Sequence, residues 1–256
     1  MSDSRTAVVF LHGIGGAARA WTLQEAAFRA AGFATLALDL PGYGARPPVQ
    51  SMAFEDLAAD VERSIADHQL ARPVLVGHSM GGMIAQTLLR RSPQGYRAAV
   101  LACTSPAFGN PAGDFQRQFV ADRLAPLDAG RTMAELAPGM VTGMMAANPD
   151  SAAQAIATAL MGATPAATYR AAVQCLVGFD ERANLAAIAV PVLCLAGEHD
   201  RNAPAPMMQR MAAKIAGARY VCLPGVGHLP NLEAPAAFDR AVLGFLARRD
   251  APPSAA

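Results

Sequence analysis

Surplus charge, long apolar runs and cysteine are all in short supply in this chain, and each shortage excludes something. Only 16% of the 256 residues are charged, and 21 Lys plus Arg against 20 Asp plus Glu leave a formal net charge of +1. A chain so close to neutral has no electrostatic footprint for nucleic acid or for an anionic membrane. The basic residues are almost all arginine, which alongside abundant alanine reads as genome composition rather than function. Asp3 and Arg5 precede the first apolar run, Ala7-Val8-Val9-Phe10-Leu11. That run is far too short for a signal h-region or a membrane span. The four cysteines, Cys103, Cys175, Cys194 and Cys222, lack metal or redox spacing. Cys194 and Cys222 fall inside apolar runs and read as buried fillers. A reduced, cytoplasmic setting follows as the expectation.

What is present is enough chain for one domain with an insertion, able to bury roughly three quarters of its unfolded surface. The most informative segment is Gly77-His78-Ser79-Met80-Gly81-Gly82. It follows the apolar run Pro73-Val74-Leu75-Val76 and precedes a helical stretch from Met83 to Arg91. A serine between two glycines where a strand becomes a helix presents its hydroxyl as a nucleophile. The turn is so sharp that larger flanking side chains would collide with it or with the neighbouring strand. The following helix aims the positive end of its dipole at the serine. Gly-x-Ser-x-Gly alone is a weak signal, and a glycine-rich turn with a serine cap is its bland reading. Context has to decide.

An acid and a histidine follow in the required order, each just past a strand. Val190 to Ala196 is a continuous apolar run, as in a buried parallel strand, and it ends in Gly197-Glu198-His199-Asp200. Tyr220-Val221-Cys222-Leu223 is a second, ending in Pro224-Gly225-Val226-Gly227-His228. Loops beyond the carboxyl ends of parallel strands gather on one rim, which would bring Ser79, Asp200 and His228 together. In this reading Ser79 attacks a carbonyl carbon, His228 takes and returns the proton, and Asp200 holds the imidazole. Glu198 as the acid and His199 as the base remain as rivals. The other histidines have blander readings: His12 as a structural hydrogen-bonding residue, His68 solvated on a helix, and His78 turned away from the nucleophile. Glu233 reads as a helix-start residue favoured by the dipole. The loop His12-Gly13-Ile14-Gly15-Gly16 after the first run, with Trp21 beyond it, supplies one oxyanion N–H, from Ile14; Met80, next to the nucleophile, supplies the other. Such chemistry needs no metal or organic cofactor.

These four motifs in this order resemble the α/β-hydrolase superfamily, from about Ala7 to Phe245. The branch they resemble carries a cap inserted before the strand that bears the acid. Within it, Gly-x-Ser-Met-Gly-Gly-Met-Ile-Ala-Gln and His228-Leu229-Pro230-Asn231-Leu232-Glu233 are most similar to 3-oxoadipate enol-lactonases and related small carboxylic-ester hydrolases. The resemblance implies an α/β fold with a mostly parallel sheet, helices on both faces and a helical cap. Expected strands are Ala7–Leu11, Ala34–Asp39, Val74–Gly77, Ala98–Ala102, Val190–Ala196 and Tyr220–Leu223. Expected helices are Arg19–Ala31, Phe54–Gln69, Met80–Arg91, Pro206–Ile215 and Pro235–Arg248.

One departure stands out. Members usually begin with an antiparallel hairpin, and six residues before Ala7 leave no room for it. About six strands are therefore expected, with Leu36–Leu38 on an edge strand where a homodimer could pair. Residues 106–187 break the strand–helix alternation and read as the cap, with 1–105 and 188–256 as the core. The cap is rich in methionine, a pliable pocket lining. Met144, Met145 and Arg201 are the candidate substrate-binding residues. Arg117, Arg123, Arg131 and Arg170 are further candidates if the substrate is acidic. Hydrolysis of a small ester or lactone is the first reading. Carbon–carbon hydrolysis of ring-cleavage products, cofactor-free perhydrolysis and a ligand-binding receptor on a hydrolase scaffold are the alternatives.

Overall fold

The computed structural model describes residues 5–108 and 112–250. Six strands form one sheet: β1 (Ala7–Leu11), β2 (Ala34–Leu38), β3 (Val74–His78), β4 (Ala98–Ala102), β5 (Val192–Gly197) and β6 (Arg219–Leu223). All pairings are parallel, in the order β2-β1-β3-β4-β5-β6. The continuous apolar runs are explained by burial on both faces: every residue of β1, β3, β4 and β5 is buried. Alternate side chains serve opposite layers. Val9, Leu11, Leu75 and Cys194 pack with α2 (Phe54–Asp67), α3 (Met80–Arg91) and α8 (Ala205–Ala212). Val8, Phe10, Val76 and Leu195 pack with α1 (Thr22–Ala30) and α10 (Pro235–Asp250).

Three local expectations are corrected. Cys222 is exposed, because β6 closes the sheet and only Leu223 of its five residues is buried. The helix expected over Arg19–Ala31 splits into a 3-10 turn, Ala18–Trp21, and α1. The break falls where Trp21 is drawn into the core against Phe10, ring centroids 5.0 Å apart. The strand expected from Val190 starts at Val192. Among the described residues the other edge is β2, and its residues are half-buried.

Between β4 and β5 the chain forms α4 (Asp114–Asp128), α5 (Met133–Met144), α6 (Ser151–Ala163) and α7 (Ala166–Val177). These helices share a core in which Met133, Met145 and Met161 pack with Leu136, Val141 and Tyr169. Leu229 and Leu232, from the loop after β6 and from α9 (Pro230–Glu233), join the same core. Among the described residues no helix is long and apolar enough to cross a membrane.

The strand order places the site. From β1 the chain steps to β2 on one side, then crosses to β3 on the other. The crevice outside the carboxyl ends of β1 and β3 is therefore a topological switch point, where open parallel sheets hold their ligands.

Candidate active site

Ser79 occupies the single residue between β3 and α3, at φ 53° and ψ −119°. A non-glycine residue in that region stores on the order of 1–3 kcal/mol of strain, so its surroundings must hold it. The Ser79 N–H donates to Ala102 O at 2.9 Å, and the Thr104 hydroxyl donates to Ser79 O at 2.7 Å. The flanking glycines are required by close approach. A Cβ at Gly77 would lie 2.4 Å from Gly81 O, and one at Gly81 would lie 2.2 Å from Leu11 O.

His228 follows β6 and Asp200 follows β5. The Ser79 hydroxyl lies 3.0 Å from His228 Nε2, and His228 Nδ1 lies 2.8 Å from Asp200 Oδ2. The imidazole thus donates from Nδ1 to the carboxylate and offers Nε2 as an acceptor to the serine. Asp200 Oδ1 accepts from the N–H groups of Asn202 and Ala203, at 2.8 and 2.9 Å. Burial alone would push this carboxyl up. The His228 contact and the two N–H donors outweigh burial and hold it below the usual range. The rivals fall away on position. Glu198 and His199 are exposed, and the Glu198 carboxylate is taken by the Gly225 N–H at 2.7 Å.

Among the described residues one cluster has the spacing for a metal ion: Cys103, Asp200 and His228, all buried, with ligand atoms within 4.8 Å of one another. Burial pushes the Cys103 thiol well above its ordinary range. Asp200 and His228 already satisfy each other. Cys103 is better described as the apolar backing of the acid.

The two remaining buried histidines are fixed by their hydrogen bonds. His12 Nδ1 donates to Gly13 O at 2.8 Å while Nε2 accepts from the Leu40 N–H at 3.2 Å. His78 does not turn away from the site: its Nε2 donates to the His228 carbonyl at 2.6 Å and its ring lies 5.0 Å from that of His228. Desolvation lowers His12 to about 4 and His78 to about 3. Both stay neutral in the fold at pH values where the unfolded chain binds protons, so the stability they confer is intact above about pH 6.5 and is lost on acidification. The unfolding free energy from urea titrations should fall between pH 6.5 and 4.5, by up to about 1.4 kcal/mol per pH unit for each histidine. A flat profile over that window would contradict the buried neutral assignment.

The His12–Gly16 loop presses against the serine: a Cβ at Gly13 would lie 2.9 Å from Ser79 Cβ. Met80 is the first residue of α3 and is fully buried. A cavity of about 40 Å³ opens beside the loop, walled by Ile14, Trp21, His78, Met144, Met161 and Leu229 among others. Of the candidate substrate-binding residues, Met144 lines it. Met145 packs into the core of the inserted helices, and Arg201 is exposed. None of the other arginine candidates reaches it. Arg117 pairs with Asp114, Arg170 with Asp128, Arg123 lies over the Phe119 ring, and Arg131 donates to Glu135 O.

Glu233 is more than a helix-start residue. Its carboxylate accepts from the N–H groups of Ala146 (2.8 Å), Gly227 (3.0 Å) and Leu229 (2.8 Å). The His228 N–H in turn donates to Met144 O at 2.8 Å. The histidine loop is thereby tied on both sides to the end of α5. The sequence signal was Pro230 at the start of a one-turn helix, which carries Glu233 back over the loop it follows.

A hydrogen-bonded serine, histidine and aspartate at the carboxyl rim of a doubly covered parallel sheet mark the class. The chain belongs to the alpha/beta hydrolase family, whose sequence pattern matches residues 8–241. It is 32% identical over 252 residues to the provisionally named carbamate hydrolase RutD of Variovorax paradoxus, covering 96% of this chain and 93% of that one. A hydrolase from Pseudomonas aeruginosa superposes with a TM-score of 0.85 at 31% identity, over 96% of this chain and 91% of its own. The enol-lactonase of Burkholderia xenovorans does so with a TM-score of 0.84 at 26% identity, over 95% and 92%. The protein is a hydrolase of this family with esterase and enol-lactonase relatives.

Proposed function

We propose that the protein is a serine hydrolase that cleaves a small carboxylic ester or lactone through an acyl-enzyme. The observation that carries this reading is the unbroken relay from Ser79 Oγ through His228 to Asp200, with contacts of 3.0 and 2.8 Å. Ser79 Oγ attacks the carbonyl carbon as His228 Nε2 takes its proton. The oxyanion is met by the N–H groups of Ile14 and Met80, each worth about 3–4 kcal/mol in the transition state. His228 then protonates the departing alkoxide, leaving the acyl group on Ser79. Water activated by the same imidazole attacks the ester, and Ser79 leaves with its proton restored. Asp200 stays ionised throughout and stabilises the imidazolium. Residues 1–105 and 188–256 form the catalytic core in this reading, and 106–187 the cap.

A fluorophosphonate probe tests the assignment directly. One adduct per chain, mapped by peptide mass spectrometry to Ser79, together with multiple turnovers of p-nitrophenyl acetate, is the expected result. Labelling of a different residue, or a single turnover that leaves the acyl group in place, would overturn it.

A further inference from the structure

We infer that Glu233 is a positioning residue for the base. Its carboxylate fixes the backbone on both sides of His228, and so the place of the imidazole between Ser79 and Asp200. The inference rests on His228 being the base of the serine reading and concerns what holds it there.

The loop that carries His228 leaves its sheet before it reaches the base. β6 ends at Leu223. From there the loop leans on the loop of the acid: the Glu198 N–H donates to Leu223 O at 3.0 Å and the His199 N–H to Val226 O at 2.8 Å. The next three N–H groups turn to other partners. Gly227 donates to Glu233 Oε2 at 3.0 Å, His228 to Met144 O at 2.8 Å, and Leu229 to Glu233 Oε1 at 2.8 Å. One carboxylate therefore grips the residue before the base and the residue after it. Fixing those two peptide planes fixes the direction in which the Cα–Cβ bond of residue 228 points.

A carboxylate suits this task. It has two oxygens and about four acceptor sites, and its hydrogen bonds are roughly twice as strong as neutral ones. Glu233 uses that capacity on a third donor, the Ala146 N–H just past α5, at 2.8 Å. The contact with α5 is close: a Cβ on Gly227 would lie 2.5 Å from Ala146 N and 2.7 Å from Met144 O. Pro230 opens the single turn of α9, and the Glu233 N–H donates back to Leu229 O at 2.8 Å, which returns the side chain over the loop it follows. On the opposite side His78 Nε2 donates to the His228 carbonyl at 2.6 Å. That hold survives the loss of Glu233, so the expected result is a displaced base rather than a lost one. A misplacement of about 1 Å can cost about 100-fold in rate.

Glu233→Ala should lower kcat on p-nitrophenyl acetate by about 100-fold and leave KM within about threefold. Glu233→Gln keeps an oxygen for Ala146 and Gly227 but turns an NH2 group toward the Leu229 N–H, donor facing donor. It should lose about tenfold in kcat. The proton between His228 Nδ1 and Asp200 reports on the base itself. Its downfield proton resonance should be sharp in the wild type and broadened by exchange in Glu233→Ala, under conditions where circular dichroism shows both folded. A role confined to stability would leave this resonance and the kcat per folded molecule unchanged. Either variant, folded and within about threefold of wild type in kcat, would overturn the inference, as would an unaltered resonance in Glu233→Ala. If Glu233→Ala does not fold, Glu233→Gln decides. Fluorophosphonate labelling of the wild type keeps the two readings apart. An adduct away from Ser79 sinks the serine reading, whereas an adduct on Ser79 with undiminished turnover in the Glu233 variants sinks only this inference.

Discussion

Ser79→Ala is expected to lose a factor of about 10⁴ or more in kcat on p-nitrophenyl acetate while the protein stays folded. The variant keeps the Cβ, so the positive φ at residue 79 costs what it did before. It also keeps the backbone bonds to Ala102, Gly82, Met83 and Thr104 that hold the turn. What it loses is Oγ, and with it the 3.0 Å contact to His228 Nε2. A neutral hydrogen bond of that kind is worth about 1 kcal/mol of stability, so the unfolding midpoint should scarcely move. Steady-state kinetics beside a urea titration separate the two effects. Activity within about tenfold of wild type would remove Ser79 as the nucleophile.

Asp200→Asn is expected to cost on the order of 10⁴ in kcat/KM, the loss seen when a triad aspartate becomes its amide. The amide oxygen can keep accepting from the Asn202 and Ala203 N–H groups, so the side chain stays where it is. Its nitrogen then faces His228 Nδ1, and a donor opposes a donor. The imidazole escapes by moving its proton to Nε2, which can no longer accept from the serine. Fluorophosphonate labelling of Ser79 should slow in step with turnover. A variant within about tenfold of wild type in both assays would show that Asp200 is not what orients the base.

The parts of the fold that could be read from the sequence are those dictated by neighbours along the chain. A strand buried on both faces must be apolar throughout, so β1, β3, β4 and β5 announced themselves. The order of their terminal loops then placed Ser79, Asp200 and His228 on one rim. The remainder depends on segments that meet only in three dimensions. Ala146 lies 87 residues from Glu233, and His78 lies 150 from the carbonyl it binds. No local pattern reports such contacts. Cys222 was misread because an edge strand and a central one can share a composition. Arg201, beside the acid in sequence, is turned to solvent, since adjacency along a loop says nothing about which way a side chain faces.

The carboxylate of Glu233 has a consequence for how this molecule can be taken apart. It gathers amide groups from the helical insertion and from the loop carrying the imidazole, while Met144 O takes the amide of His228 itself. The insertion is therefore no detachable lid. Trimming it to leave a bare sheet-and-helix scaffold would strand polar groups on both sides of His228. Engineers seeking a smaller or more open variant would do better to alter side chains than to shorten the polypeptide.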